Sequence, residues 1–329
     1  MNKSSIEEQF DQIIEKNISV TENTTEVERI AILDNVIQLH GNWKELLQEL
    51  HLLGTITAVT TNDNAIHEKT GVYDVVTFQG PVGTALTKEI DLRLFMMHWA
   101  HGYLVPEKTM ASFQFFAKNG QAIQKIYFDP TASPETYSHF ISKYGSITNT
   151  SSAIEIVKDP VQPIEKPDNE IDQIGLQNTW RLLKDTHEFF GMLQEFEVSR
   201  VQALRLAPSG YVRKIPTSAI YSLLLNAVTS NVSIMAFVGN KGCIQIHTGC
   251  IYNVSKLNQI LKIQDQDFCL QLKEDQMHNA YIVQKSTDLG IVTSVEVFDK
   301  TGELIVQFFG DRKPTLPEPE EWRNLLRQL

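Results

Sequence analysis

The two halves of this 329-residue chain carry similar stretches in the same order. In the clearest pair, residues 111–120 (ASFQFFAKNG) resemble residues 293–302 (TSVEVFDKTG). Further pairs set 92–94 and 103–105 against 270–272 and 281–283, and 47–50 and 55–59 against 193–196 and 200–204. A repeat of this length is far too long for a solenoid. The chain is therefore predicted to contain two domains of one fold.

Composition narrows the class of protein further. Hydrophobic residues make up 42% of the chain and charged residues 21%, as in ordinary globular proteins. No apolar run approaches the roughly 20 residues of a membrane-spanning helix, and the acidic N-terminus does not resemble a secretory signal. A net charge of -11 argues against broad nucleic-acid binding. We expect a cytoplasmic protein without a membrane span.

Hydrophobic periodicity divides each half into a helical part and a strand part. Helical spacing covers residues 26–53 and 178–197, and alternation follows from 55 to 129 and from about Arg200 onward. Hairpin turns are predicted at 118–121 and 299–302. A proline-rich stretch begins at Asp159. These patterns predict an α+β fold with an internal duplication: an N-terminal repeat at 1–158, a linker at 159–175 and a C-terminal repeat at 176–329, each with a large antiparallel sheet flanked by helices.

Three polar residues stand out against these patterns. His187 falls between apolar residues at helical spacing, where an imidazole is either a core residue or a metal or haem-iron ligand. His67 lies in a polar stretch read as an exposed loop, and the repeat alignment gives Arg213 as its counterpart. Arg93 shares a strand face with Phe95, where its guanidinium either reaches solvent or binds an anion.

Basic residues gather on the predicted strands of the second half. They form either a solvated face or a site for a ligand's carboxylates; the set is Arg200, Arg205, Arg213, Lys214, Lys285, Arg312 and Lys313. His98 and His101 are a weaker candidate pair for zinc, because residues three apart on a strand face opposite ways.

Several stretches taken together resemble the hemin-degrading factor family, cytoplasmic proteins of bacterial haem-uptake systems. They are Ala65–Tyr73, Asp91–Phe95, Asp185–Phe190, Ser199–Arg205, Phe237–Gly249 and Gln307–Pro314. The resemblance implies a duplicated α+β fold with haem bound in a cleft of the C-terminal repeat.

The resemblance also implies roles for individual residues. The axial histidine falls on His187, and the distal arginine, which would also be the catalytic residue of an enzyme, falls on Arg93. Phe95 is expected against the macrocycle. Further contacts are expected from residues of the second half, namely Arg200, Lys285, Gln307, Phe309 and Arg312, where Phe309 replaces the tyrosine of some relatives. A second haem site would use His67.

The resulting hypothesis is a haem-binding protein that receives imported haem and either transfers it or opens the ring to release iron. Whether it is an enzyme is left open: haem oxygenase-like turnover would need an external electron donor, because the sequence contains no flavin or nicotinamide site. Implied partners are an uptake transporter, a haem oxygenase or a reductase. The alternatives are a non-catalytic interaction protein with structural histidines and a zinc hydrolase using His98 and His101.

Overall fold

The structure is a computed structural model that describes residues 5–9, 24–33, 35–106, 110–146, 154–160, 164–313 and 315–329. Within these ranges, no helix has both the length and the apolar character needed to cross a bilayer.

Helices and strands alternate along the chain in two similar series. The helices are α1 (Glu26–Ala31), α2 (Trp43–Glu49), α3 (Pro134–Tyr144), α4 (Gln173–Arg181), α5 (Glu188–Glu195), α6 (Arg200–Arg205), α7 (Ala219–Thr229) and α8 (Glu320–Leu326). The strands of the first half are β1 (Ile37–Leu39), β2 (Thr55–Asn62), β3 (Ala65–Val72), β4 (Val76–Gln79), β5 (Val82–Leu86), β6 (Asp91–Phe95), β7 (His101–Val105), β8 (Ala111–Phe116), β9 (Ala122–Phe128) and β10 (Gly145–Ser146). Those of the second half are β11 (Val212–Ile215), β12 (Ile234–Gly239), β13 (Cys243–Gly249), β14 (Val254–Leu257), β15 (Ile260–Gln264), β16 (Phe268–Lys273), β17 (Asn279–Thr287), β18 (Gly290–Phe298) and β19 (Leu304–Gly310).

The chain folds into two compact units. Unit 1 contains residues 1–159 together with 238–247 and 264–271, and unit 2 contains 160–237, 248–263 and 272–329. Two segments of the second half thus belong to unit 1. Residues 161–163 of the predicted linker lie outside the described residues, and the repeat boundaries predicted from the sequence stay a prediction.

Unit 1 is built on an antiparallel sheet in the order β10-β1-β7-β8-β9-β2-β3. One face carries a large aromatic core that includes Phe113, Phe115 and Ile126. The other face carries a smaller core that includes Val59 and Tyr127. Because both faces are covered, every residue of β8 and β9 is buried.

A second group of strands in unit 1 joins the two halves of the sequence. β13 pairs antiparallel with β6, which pairs with β5, which pairs with β4. Leu92 and Leu94 on β6 point into the core, whereas Arg93 and Phe95 lie on the opposite, partly exposed face. The predicted strand parity around Arg93 is confirmed.

Unit 2 repeats the strand order of unit 1. Its sheet runs β11-β17-β18-β19-β12, where unit 1 has β1-β7-β8-β9-β2. Helices α4 to α6 pack on it through a core that includes Trp180, Phe189 and Phe298. The predicted α+β duplication is confirmed, as are the hairpins β8–β9 and β18–β19.

Two predicted helices are wrong because each contains a break. Residues 26–53 form α1, β1 and α2, followed by a short 3₁₀ turn. Residues 178–197 belong to α4 and α5, which Asp185 separates: its carboxylate accepts a hydrogen bond from the backbone N–H of His187 (2.8 Å). Asp side chains that bond the backbone two residues ahead favour turns over continued helix.

The alignment of 47–59 with 193–204 is also wrong. Residues 200–205 form helix α6, which begins where the Ser199 hydroxyl accepts a hydrogen bond from the Gln202 N–H (3.0 Å). Strand order shows that β2 and β3 correspond instead to β12 and β13. The tight turns at Asn62 and Asn240 then align, and His67 corresponds to Gln245 rather than Arg213.

Candidate functional site

His187 lies at the surface of unit 2, immediately before helix α5. Its side chain is 91% exposed, so the predicted position within an apolar stripe is wrong. Asp185 makes two contacts with His187. Its carboxylate accepts a hydrogen bond from the backbone N–H of His187 at 2.8 Å and also contacts the ring atom Nδ1. The imidazole is therefore oriented although it is solvent-accessible.

The chemistry of Asp185 decides which ring nitrogen of His187 is available. The backbone N–H of His187 lowers the pKa of the Asp185 carboxyl, and the imidazole adds to that shift. An ionised carboxylate can only accept hydrogen bonds, so Nδ1 carries a proton and, in a neutral imidazole, Nε2 is the nitrogen with the lone pair. A carboxylate that bonds the distal ring nitrogen is the usual arrangement behind a metal-bound histidine.

The surface next to His187 is apolar and weakly cationic. Phe190 lies on the first turn of α5 and is 64% exposed, although large aromatic residues are usually buried. The positive charge of Arg312 adds a small contribution, after those of His187, to the lowered pKa of Asp185. An exposed imidazole and an exposed phenyl ring suit a flat apolar ligand that carries a metal.

A buried ionic cluster lies beneath α5. The carboxylate of Glu296, on β18, accepts two hydrogen bonds from Arg200 (2.7 and 2.8 Å) and one from Lys285 Nζ (2.6 Å). The Ser294 hydroxyl donates a further bond at 2.9 Å. Glu296 is fully buried and Lys285 nearly so.

Burial and charge determine the protonation of this cluster. Burial lowers the pKa of Lys285 to about 8, against the attraction of Glu296. Burial opposes ionisation of Glu296, but Arg200 and Lys285 hold its pKa well below the ordinary value. The three side chains form a stable unit with one carboxylate between two cations.

Phe189 connects the cluster to His187. Its ring centre lies 4.7 Å from Lys285 Nζ and 5.2 Å from the Arg200 guanidinium, within the range of cation–π attraction. Phe189 follows His187 by two residues on α5. The cluster thus anchors the start of the helix that presents the imidazole. The role of Arg200 and Lys285 as ligand contacts stays a prediction. Glu296 already neutralises part of the positive charge of these two side chains.

Gln307 and Phe309 lie on one face of strand β19. Gln307 is paired in register with Glu296 on one side and with Phe237 on the other. Phe309 contacts Phe237 edge-on, with ring centres 5.0 Å apart. Both predicted contact residues are partly exposed. Together with Met235 and Phe237 they form a surface that we call the Gln307 face.

In unit 1, Arg93 lies at the centre of a strand face with mixed polarity. Its neighbours in register are Thr84 and Ile244, and its guanidinium is paired with Asp91 two residues earlier on the same face. Burial raises the pKa of Asp91 although Arg93 lowers it. The Arg93 side chain is 35% exposed, so part of it is accessible to a ligand of unit 1. Phe95 is partly exposed beside it.

The predicted loop position of His67 is wrong. His67 lies on β3, is fully buried, and packs on Phe268 with ring centres 5.1 Å apart. The sequence suggested a loop because Asn62, Asp63 and Asn64 form a polar turn next to it. Its proposed role in a second haem site stays a prediction, which would require the buried imidazole to become accessible.

The remaining candidates do not assemble into a site. Arg205 pairs with Glu165 and Asp168, and Arg213 donates to the Leu326 carbonyl (2.9 Å). His98 ends a short 3₁₀ turn and His101 begins β7. Across the described ranges, no group of three or more His, Cys, Asp or Glu side chains is placed to hold a metal ion.

No role in the site was predicted from the sequence for Asp185, Phe190 or Glu296. The Asp-X-His spacing could have indicated Asp185, because an Asp side chain often accepts a hydrogen bond from the backbone N–H two residues ahead. Glu296 had no signal, because its importance depends on which residues face it on neighbouring strands.

Comparison with known proteins identifies a family that covers most of the chain. A model of the haemin-degrading HemS/ChuX domain matches residues 22–144 and 197–329, which leaves His187 between the two matched segments. The hemin transport protein HmuS of Yersinia pestis is 30% identical over 297 residues, which cover 89% of this chain and 85% of that protein.

Solved structures are similar over nearly the whole chain. The apo structure of PhuS, a heme-binding protein from Pseudomonas aeruginosa, superposes with a TM-score of 0.85 at 35% identity, covering 92% of this chain and 89% of PhuS. The heme-degrading enzyme ChuS of Escherichia coli O157:H7 superposes with a TM-score of 0.85 at 28% identity, covering 98% of both chains. The chain therefore belongs to the haemin-degrading HemS/ChuX family.

Proposed function

We propose that this chain is a cytoplasmic haem-binding protein that receives imported haem for transfer or for degradation, and that His187 is the axial ligand of the iron. The observation that carries the proposal is the exposed His187 imidazole with Nδ1 held by Asp185, because it leaves Nε2 directed outward as a metal donor. The relatives described as hemin transport, heme-binding and heme-degrading proteins support the same ligand.

The surroundings of His187 supply what a haem needs besides an iron ligand. Phe190 and the Gln307 face offer partly exposed apolar and aromatic surface for a macrocycle. Arg312, whose charge acts on Asp185, is the cation that we assign to a propionate, whereas Arg200 and Lys285 are shared with Glu296. We infer that Arg312 contributes more to propionate binding than the two buried cations.

Titration of the protein with hemin tests the proposal. The wild-type chain is expected to bind one hemin per chain at the His187 site with a sharpened Soret band, and His187→Ala is expected to weaken this binding by at least about 100-fold. His278→Ala is the matched control, because His278 is also an exposed histidine of unit 2. An unchanged spectrum in His187→Ala would exclude the proposed ligand.

Transfer and degradation are distinguished by supplying electrons. The proposal for degradation requires an external reductant or reductase, and loss of the Soret band with formation of a linear tetrapyrrole in the presence of catalase would support it. Band loss that catalase prevents would indicate nonspecific peroxide chemistry.

Arg93 has a separate proposed role as the distal residue. If it acts in degradation, Arg93→Ala slows turnover by about 100-fold or more, the effect typical of losing a charge-stabilising group, with a smaller change in hemin affinity. An uptake transporter, a haem oxygenase and a reductase are proposed partners. The interaction-module alternative predicts that hemin leaves the spectrum of the wild-type protein unchanged.

A further inference from the structure

A pocket opens in unit 2 on the face of the sheet opposite helix α5. It lies between strands β11, β17 and β18 and helix α8, with a volume of about 810 Å³. Gln284 lines it, whereas the next residue, Lys285, lies beneath α5, since successive strand residues point to opposite faces. Sites for small molecules usually have volumes of about 300–1,000 Å³, so the pocket has the size of a ligand site.

The lining of this pocket combines apolar and cationic side chains. Its apolar part comes from three aliphatic residues of the sheet and of α8, namely Ile282, Ile291 and Leu326. Its charges come from one arginine of β11 and two of α8, namely Arg213, Arg323 and Arg327. We call it the Arg213 pocket. Apolar walls with a few charged or polar groups are typical of sites for organic molecules.

The three guanidinium groups differ in how their charge is balanced. Arg323 Nε pairs with Glu318 at 3.0 Å, and Arg327 pairs with Glu320 at 2.9 Å. Arg213 forms no ion pair with an acidic side chain of the described ranges; it donates to a backbone carbonyl at the end of α8 (2.9 Å), which uses one of its five N–H donors. Among these side chains, one positive charge is therefore in excess, and it lies on Arg213.

The corresponding place in unit 1 is closed by an aliphatic residue. Ile37 pairs with Leu104 there, as Arg213 pairs with Ile282 in unit 2. Leu104 belongs to the large apolar core of unit 1, and Ile37 packs against it. The strand pairing is the same in both units, so the fold does not require an arginine at this position. The exposed guanidinium and the pocket beside it belong to unit 2 in particular.

We propose that the Arg213 pocket binds a small amphipathic carboxylate of the fatty-acid class, with its acid group on Arg213 and its apolar body against Ile282 and Ile291. A guanidinium binds a carboxylate through two parallel N–H bonds, and the partly exposed amide of Gln284 adds a further donor. The pocket lies on the other face of the sheet from the cluster beneath α5, and the inference does not rest on haem binding.

Titration of the full chain with decanoate, followed by isothermal calorimetry, tests this proposal. One decanoate per chain is expected to bind in the pocket. Arg213→Gln is expected to weaken this binding by about tenfold or more, because it removes the charge-assisted hydrogen bonds. Ile291→Trp, which fills the apolar part without changing the charge, is expected to weaken it as well.

Lys214→Gln is the matched control for the loss of charge. Lys214 follows Arg213 on β11, but its side chain lies on the opposite face, with Nζ 5.9 Å from the centre of the Tyr281 ring. Its removal should change decanoate affinity by less than about twofold, because salt screens exposed charges that do not touch the ligand. 1-Decanol, the neutral molecule with the same chain, should bind the wild-type protein about tenfold more weakly than decanoate does.

Four results would overturn the proposal. They are absence of decanoate binding to the wild-type chain, unchanged affinity in a folded Arg213→Gln chain, equal weakening by Arg213→Gln and Lys214→Gln, and equal affinity for decanoate and 1-decanol. The last two would show nonspecific charge attraction and apolar contact alone.

Should the Arg213→Gln and Ile291→Trp chains unfold, NMR spectra of the wild-type protein decide the question. Decanoate is expected to shift the backbone amide signals of Arg213, Gln284 and Leu326 more than that of Phe190, which lies on α5 on the other face of the sheet. Largest shifts outside the pocket would overturn the assignment.

Discussion

Thr57, Val59, Lys125 and Tyr127 of unit 1, which we call the Lys125 face, correspond in strand order and register to the Gln307 face of unit 2. The two faces are covered differently. In unit 1 the neighbouring strands are buried on both sides, whereas β12 alternates between buried and partly exposed residues. The duplication therefore gives both units the same arrangement of strands. What differs is what packs on it. In unit 1 residues 5–9 and helix α1 cover the face, whereas in unit 2 helix α5, whose start presents His187, lies over the sheet.

The charges at the two faces are also balanced differently. In unit 2 the carboxylate of the cluster, Glu296, belongs to the sheet itself, and position 114 of unit 1 has glutamine at the corresponding place. Unit 1 obtains its carboxylates from Glu7 and Glu26, both far from Lys125 in sequence.

The largest expected effect is at Glu296. Glu296→Gln leaves two buried or partly buried cations without their carboxylate, and removal of one partner from a buried ion pair costs about 3–5 kcal/mol. The free energy of unfolding, measured with urea, is expected to fall by that amount. Glu195→Gln, on the exposed side of α5, is the control and should change it by less than about 0.5 kcal/mol.

The same variant changes the response to acid. Because the pKa of Glu296 is lowered in the folded state, its contribution to stability is present above the ordinary value of 4.5 and is lost as pH falls through the lower folded value. Glu296→Gln should lose less stability than wild type below pH 4.5. A parallel decline in both proteins would contradict the assigned charge state.

Lys125→Gln is the corresponding change in unit 1. It leaves the Glu7 carboxylate without its cation, which by the same reasoning costs up to about 3 kcal/mol. A smaller cost than at Glu296 is expected, because the Tyr127 hydroxyl still donates to Glu7, whereas Glu296→Gln removes the carboxylate of two cations. Urea unfolding measures the difference, and a cost above that of Glu296→Gln would show that residues 5–9 are an integral part of the core.

Asp185→Asn tests the orientation of the imidazole in unit 2. Loss of the carboxylate behind a metal-bound histidine typically weakens binding by about 10–100-fold. The hemin dissociation constant should rise within that range while the stoichiometry stays the same. Asn can still accept from the His187 backbone N–H, so unchanged affinity would mean that the charge on Asp185 has no role.

The smallest effect on stability is expected when Gln307 is replaced by lysine, the residue at the corresponding position 125 of unit 1. Gln307→Lys places a cation on a partly exposed position, and such surface changes usually alter stability by no more than about 0.5 kcal/mol. Thermal unfolding would measure it. A large loss would show that the Gln307 face is more enclosed than its exposure indicates.

The sequence predicted the strands of both halves better than the helices. Alternation in Asp91–Phe95 correctly separated Arg93 from Leu92 and Leu94, since side chains of successive strand residues point to opposite faces. Helical periodicity failed at 178–197, where apolar residues continue at helical spacing across the turn formed by Asp185. Local hydrogen bonds of a short polar side chain compete with the helix, and periodicity does not report them.

The sequence indicated which histidines were candidates but not whether each is buried or exposed. His187 was identified as a candidate, but its surroundings were predicted as buried and are exposed. His67 was predicted as exposed and is buried. Burial of a single polar residue depends on what packs against it from elsewhere in the chain.

By itself, the sequence determined the duplication, the antiparallel strands with their turns, and the family to which the chain belongs, because these follow from local patterns and from matching segments. Only the tertiary structure decided that Asp185 orients the His187 imidazole, that Glu296 gathers Arg200 and Lys285, and that Glu7 covers the Lys125 face. The physical reason is that partners such as Glu7 and Lys125 are 118 residues apart, so their interaction exists only once the chain has folded and excluded water from between them.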